Sequence, residues 1–412
     1  MTLDATFQME APQPCGRCGE RAGRRAVAIC NREPTVDAPV APKFVRSSGL
    51  HEVRGMLSLL KKLTRKRRLR QIRTARSRKR RKQKCRKRPV RKLRTYHAAP
   101  NEIEAPRRVD ILDFHGRELG RFIRAVADAV LVRHEAVSLN FRETEAFIAG
   151  GTILLFAELD RIKSQSELEK PLTLIDPRRR RAKEVLKQIG LYELTGDSCD
   201  VVPLRDDVIY WKATKGANQS GHQMAMIEVV AERVRATYAD TLLLHQVWRG
   251  VSEAVTNSVE HAYKKPRGDG FNGLAETKWW MFTQVRDNMF GVAVCDLGCG
   301  YRATIEETIP EQFISQLAAT FAGSSKDARA IHTAMEYGRT GTHYPNRGKG
   351  SRDAMSVLES HKAGNLVIIS NSGTMAYEFR EGRPPRHTSG SLELDVRGTI
   401  VLWWLPLRGV GE

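Results

Sequence analysis

The sequence predicts an α/β protein. Three observations carry that expectation: strand-like runs alternate with helical periods from Val109 to about Asp200, a long amphipathic helix opens the last third, and a hairpin of two apolar runs follows it. A length of 412 residues suggests two or three domains. Hydrophobic residues make up 41% and charged residues 28%, ordinary values for a chain with a sizeable core, but the net charge of +22 is unusual. It is concentrated in one place: between Lys61 and Arg94 stand 21 Lys or Arg and no Asp or Glu, which leaves the rest of the chain near neutral.

The N-terminal region, 1–105, reads as a disordered arm. Residues 1–55 are rich in Pro, Gly, Ala and Arg without sustained periodicity, and Met56 is an alternative start. The basic block Lys61–Arg94 reads either as a solvated, self-repelling tail or as a polyanion-binding arm, whose lysines and arginines would release counterions from nucleic acid without reading sequence. Aromatics are absent from it until Tyr96, so base stacking has little support. Pro89, Pro100 and Pro106 mark a linker. Cys15 and Cys18 form a C-x-x-C, but a zinc ribbon wants a second close pair and only scattered Cys30, His51 and Cys85 follow. Seven irregularly spaced cysteines fit a reducing compartment, and no run approaches the roughly 18 apolar residues of a membrane span, so a cytoplasmic location is expected.

Residues 106–200 predict a small α/β domain: a helix near Leu119 to Val132, a strand in "AVSLNF", a helix over about Thr144 to Ile162, a strand in "LTLIDP" and a helix ending near Gly190. The order of elements and the run "VSLNFRETEAFIAGGTILLF" resemble STAS domains, the phospho-switched partners of bacterial anti-sigma kinases. Where that family carries an Asp-Ser-Ser-Gly turn, this chain has Ala149, Gly150, Gly151 and Thr152, without the acceptor serine.

Residues 201–412 predict a third unit. "VIYWKAT" reads as an extended bridge, and a helical stretch covers about Met224 to Tyr263. Within it Leu244, Val247, Trp248, Val251, Val255, Val259 and Ala262 form one apolar stripe, while Glu253 and Asn257 fall on the other side, stacked one turn apart. A hard divalent cation such as Mg²⁺ takes oxygen ligands and only one or two from protein, a task that suits Asn257. Glu253 is placed to take a proton from an attacking water or hydroxyl. His245 and His261 on the same helix read as structural or rim histidines rather than phosphoacceptors. "KWWMFTQVR" and "MFGVAVCDLG" then form a hairpin around Asp287-Asn288, and the second run ends in "DLGCG". Asp296 can accept a hydrogen bond from an exocyclic amine, and Gly298 and Gly300 let the backbone approach a ligand. After a long stretch from Tyr301, "NRGKGSRDAMSVL" opens a helix with Gly348 and Gly350, flanked by the charges of Arg347 and Lys349, so that bare amides face phosphate oxygens. Gly398-Thr399 opens the last strand.

This succession, E-x-x-x-N on a helix, D-x-G-x-G after a strand, R-G-x-G opening a helix and G-T on a closing strand, resembles the GHKL superfamily of gyrase, heat-shock chaperone and histidine-kinase ATP domains. It covers about residues 240 to 407, and "VSEAVTNSVEHAY" is most similar to bacterial anti-sigma factor serine kinases. The resemblance implies a C-terminal Bergerat-type α/β sandwich that binds ATP and Mg²⁺, preceded by the STAS-like domain. In it Asn257 ligates Mg²⁺, Glu253 is the general base, Asp296 reads adenine, Gly298 and Gly300 shape its pocket, and residues near 303 to 347 form the lid. Arg347, Gly348, Lys349 and Gly350 hold phosphates, and Thr399 supports the adenine contact through water. The stretch between Glu311 and Thr342 is long for an anti-sigma kinase, and Ser351 stands where many relatives carry Leu.

Three functions compete. One is an enzyme that hydrolyses ATP or transfers its γ-phosphoryl group to a Ser or Thr of a partner, in bacterial signalling. Another is an ATP-gated switch without chemistry, and the third is a nucleic-acid-associated protein led by the basic arm. The expected partners are ATP, a protein partner or phosphoacceptor, nonspecific nucleic acid at Lys61–Arg94, and a second copy of the chain.

Overall fold

Strand and helix periods alternate through residues 102–195, and the chain folds there as the alternation dictates. Strands β1 (Glu102–Glu104), β3 (Val137–Asn140) and β5 (Leu172–Ile175) form a parallel sheet in the order β1-β3-β5. Its crossovers carry helices α1 (Asp113–Ala127, continued by a π turn to Val132) and α2 (Ala149–Gln165), and a second parallel pair joins β2 (Arg108–Val109) to β4 (Ala146–Phe147). Helix α3 (Arg180–Gln188) ends at Gly190, whose left-handed φ of 79° leads into the short α4 (Leu191–Thr195). The computed structural model describes residues 101–204, 211–217, 241–270, 277–286, 288–309, 311–314, 324–339 and 349–407, all within one compact unit spanning 46–412. Strand β1 thus lies inside the stretch 1–105 expected to be disordered. The basic block and Cys15 and Cys18 lie outside the described residues.

The C-terminal half is built on a seven-stranded, wholly antiparallel sheet in the order β11-β10-β9-β12-β8-β7-β6. Its strands are β6 (Lys212–Ala217), β7 (Lys278–Arg286), β8 (Met289–Asp296), β9 (Gly364–Ser370), β10 (Gly373–Arg380), β11 (Arg383–Ser391) and β12 (Thr399–Pro406). The expected β7–β8 hairpin pairs Arg286 with Met289, with Asn288 at φ 55° in its turn, while Asp287 lies outside the described residues. Helices α5 (Thr241–Asn257), α6 (Gly300–Thr308), α7 (Lys326–Arg339) and α8 (Lys349–His361) complete the half. The molecule is therefore mixed α and β with both parallel and antiparallel sheets.

Because side chains alternate across a strand, the apolar run "KWWMF" sends tryptophans to opposite faces. Trp279, Met281, Phe290, Val292, Ile368 and Trp403 pack with Val247, Val251 and Val255 of α5, Ile331 and Met335 of α7, and Val357 and Leu358 of α8. Trp280, Phe282, Ala293, Cys295, Ile369 and Leu402 belong instead to a core shared with the N-terminal half, including Phe122 of α1 and Leu155 and Leu159 of α2. Helix α2 explains the arrangement: every residue from Ala149 to Ile162 is buried, as in a helix covered on all sides. Its buried charges are paired, Asp160 with Lys215 and with the Trp280 indole N–H at 3.1 Å, and Glu158 with Arg161 and Arg267. Residues Ala149–Thr152 form the first turn of this helix, and the Thr152 hydroxyl, buried, donates to the Ile148 carbonyl.

No described helix is long and apolar enough to cross a membrane.

Candidate functional site

Antiparallel register brings the ends of three strands into one row. Asp296, the last residue of β8, stands opposite Thr399, the first of β12, and Thr399 stands opposite Ser370, the last of β9. The Asp296 carboxylate is 6% exposed; its Oδ1 accepts the backbone N–H of Gly298 at 3.0 Å and of Thr399 at 3.2 Å, and its Oδ2 receives the Ser258 hydroxyl at 3.4 Å. Burial nevertheless dominates, raising its pKa to about 6 against the pull of these hydrogen bonds and of the Arg267 charge. Ser370 continues the row, with its hydroxyl 3.4 Å from that of Thr399 and accepting the Tyr301 N–H at 2.9 Å.

The D-x-G-x-G glycines have distinct reasons. Gly298 lies against the end of the helical segment that extends α5, a π turn over Ser258–Ala262, and a Cβ there would sit 2.2 Å from the Ala262 carbonyl oxygen. That approach lets Cys299 donate its N–H to the same oxygen at 2.7 Å. Gly300 opens α6 at φ 74°, a conformation that favours glycine.

Helix α5 supplies the other half. Its expected stripe is buried at Val247, Val251, Val255 and, in the π turn, Ala262, with Trp248 and Val259 partly buried, while Glu253 and Asn257 are half-buried. These two interact as their spacing predicts. Burial and the negative charges of Asp353 and Glu260 raise the Glu253 pKa, and the hydrogen bond with Asn257 opposes the rise. Asp353 comes from the second turn of α8 and pairs with Arg249 at 2.8 Å. Tyr301 joins the two halves: burial and the charges of Asp296 and Glu253 push its hydroxyl up to about 12.

The structure thus gathers Asp296, Gly298, Gly300 and Thr399 around one strand end, and Ser258, next to Asn257, reaches Asp296 from the end of α5. Lys349 and Gly350 form the start of α8, the helix packed beside α5, whereas Arg347 and Gly348 lie outside the described residues. The expected lid, 303–347, differs in part. It contains α7, whose Ile331 and Met335 are fully buried in the core, because residues 326–339 carry a helical apolar period that packs beside α8 and on β10. Only 315–323 and 340–348 are left for a lid, and they lie outside the described residues. His245 is exposed, and His261 stands at the π turn.

Sequence reasoning did not single out Ser258, Ser370 or Tyr301. Ser258 directly follows the proposed metal ligand, and Ser370 ends a strand beside a turn. Both signals are local, but their meaning depends on pairings 38 and 29 residues away.

In chemical terms the site offers a buried acceptor for an amine hydrogen bond, two oxygen donors for a hard cation, and a carboxylate whose proton affinity is raised. No family model matches the chain, and a search of curated proteins finds no match.

Proposed function

We propose that the chain binds Mg²⁺–ATP at this site, as GHKL domains do, and hydrolyses it or passes its γ-phosphoryl group to a Ser or Thr of a protein partner. The single observation that supports this most is the juxtaposition of a buried, amide-anchored Asp296 with the Glu253–Asn257 pair on the adjoining helix. A structural carboxylate at a strand end does not require a second, half-buried carboxylate with raised proton affinity nearby.

The donor set fits Mg²⁺. Asn257 and Glu253 are oxygen donors one turn apart, and crowding of Glu253, Asp353 and Glu260 is a field that a divalent cation relieves. When bound, the ion would bridge the protein to the phosphates and offset their charge. On this account Asn257 would hold it. Asp296 accepts from the adenine amine with Thr399 beside it, and Gly298 and Gly300 shape the turn that carries Asp296 by allowing its close approach to Ala262 and its positive φ. The amides at the start of α8 meet phosphate oxygens. Glu253 takes the proton from the attacking oxygen, and its raised pKa brings it nearer to the range where such transfer is effective.

Full-length protein incubated with Mg²⁺ and γ-labelled ATP should release labelled phosphate or, when a partner is present, transfer the label to that partner. Glu253→Ala should still bind nucleotide while turnover falls roughly 10² to 10⁴-fold. Wild-type turnover in Glu253→Ala would remove Glu253 from the role of base, whereas saturable ATP binding by the wild type without turnover would favour the ATP-gated switch. That second reading has its own support in the core that the sheet shares with the N-terminal half, through which an ordered nucleotide site could alter a partner surface.

A further inference from the structure

A cavity of about 320 Å³ that none of Glu253, Asn257, Asp296 or Thr399 lines has α1 and α2 on one side and the segments around Arg267 and 394–397 on the other. Such a volume is at the lower end of those that hold small molecules. Ile123, Leu154, Leu394 and Val396 give it apolar walls.

Its charges are unevenly committed. Arg161 and Arg267, with side chains 3% and 8% exposed, are tied to the equally buried Glu158 and Asp269. The buried Nε of Arg267 still has no hydrogen-bond acceptor among the described residues, at 3.4 Å from the Asp269 carboxylate. At the rim Arg397 is only 3.8 Å from Asp269, and Arg124 makes no ion pair among the described residues. Of the rim acids Asp128 is paired with Arg133, while Asp395 accepts the Arg397 backbone N–H and keeps its charge. Arg124 and Arg397 against Asp395 leave the rim with one net positive charge, and guanidinium forks match a carboxylate. A dianion fits less well, because Glu158 and Asp269 stand behind the arginines and would repel the second charge.

We propose that this cavity binds a small organic monocarboxylate, its anionic head held by the arginines and its apolar body packed among Ile123, Leu154, Leu394 and Val396. The inference does not depend on nucleotide binding elsewhere. It places a metabolite-sized ligand between the N-terminal half and the sheet, where both halves contribute walls.

The test is calorimetric titration of the full chain with benzoate and, separately, with inorganic phosphate, with folding checked by circular dichroism. Benzoate should bind saturably and phosphate should not. Arg124→Ala, at an exposed position, and Arg397→Gly, which relieves a φ of 47°, should each weaken benzoate about tenfold or more, the worth of a charged hydrogen bond. Asp296→Asn should not weaken benzoate binding. The assignment is overturned if folded wild-type protein shows no saturable benzoate binding, if phosphate binds in its place, or if neither arginine variant changes the affinity. It is equally overturned if Asp296→Asn abolishes binding, which would move the probe to the other site.

Discussion

The Ser258 hydroxyl lies 3.4 Å from Oδ2 of Asp296 and joins the turn that extends α5 to the end of β8. Asn257 immediately precedes Ser258, so the residue proposed to hold the cation and the residue proposed to read the base belong to one connected unit. The single Ser258 proton is shared with the Ala254 carbonyl oxygen, 2.9 Å away, which holds the hydroxyl on the helix.

Asp296 sets a pH dependence. Its pKa is about 6 in the fold against an ordinary 3.8, so between those values the folded state holds a proton that the unfolded chain has released. The contribution of this carboxyl to stability is therefore full below the ordinary value and falls as pH rises through about 6. Base recognition should run the other way, since the ionised carboxylate is the better acceptor. Adenosine, which carries no titrating phosphate, should bind more weakly at pH 5 than at pH 7. Asp296→Asn should flatten this profile and improve competition by GTP against ATP, and a flat wild-type profile would remove Asp296 from the base contact.

Gly298→Ala tests the steric demand of the motif. Its Cβ would meet backbone at 2.2 Å, so the strand end and the π turn must separate, at a cost of about 3 kcal/mol, the upper end for overpacking. Denaturant unfolding should show that loss together with weaker adenosine binding. A variant as stable as the wild type would mean that the turn yields easily.

The shared core predicts where the chain can be cut. A protein beginning at residue 201 would expose Trp280, Phe282, Ile369 and Leu402, and should aggregate or unfold. One beginning at residue 101 keeps α1 and α2 and should melt cooperatively. Solubility and calorimetric melting of the two truncations decide the matter, with a soluble, cooperative 201–412 fragment as the contrary result.

The α5 stripe, the β7–β8 hairpin and the position of Asp296 at a strand end were legible because each follows from local periodicity or turn chemistry. Helix α2 was visible as a helix, yet its all-round burial depends on the big sheet lying against it, and no local pattern names that neighbour. The same holds for Trp279 and Trp280: adjacent tryptophans announce a strand covered on both faces without saying by what. Ser258 and Ser370 escaped notice because a serine acquires a role only through its partner across the fold. Helix α7 falls within the expected lid: Ile331 and Met335 carry its helical spacing, but their burial depends on α8 and β10, which no local pattern names.

The most direct measurement is calorimetric titration of the full-length chain with ATP in the presence of Mg²⁺, repeated with Asn257→Ala. Asn257 is half-buried on the side of α5 away from the apolar stripe, so the variant should fold, and circular dichroism would verify that. Saturable binding by the wild type, weakened in Asn257→Ala and dependent on Mg²⁺, is the expected result. A folded wild-type chain that takes up no ATP, or binds it equally well without Mg²⁺ and without Asn257, would contradict the nucleotide site proposed between α5 and the Asp296–Thr399–Ser370 row.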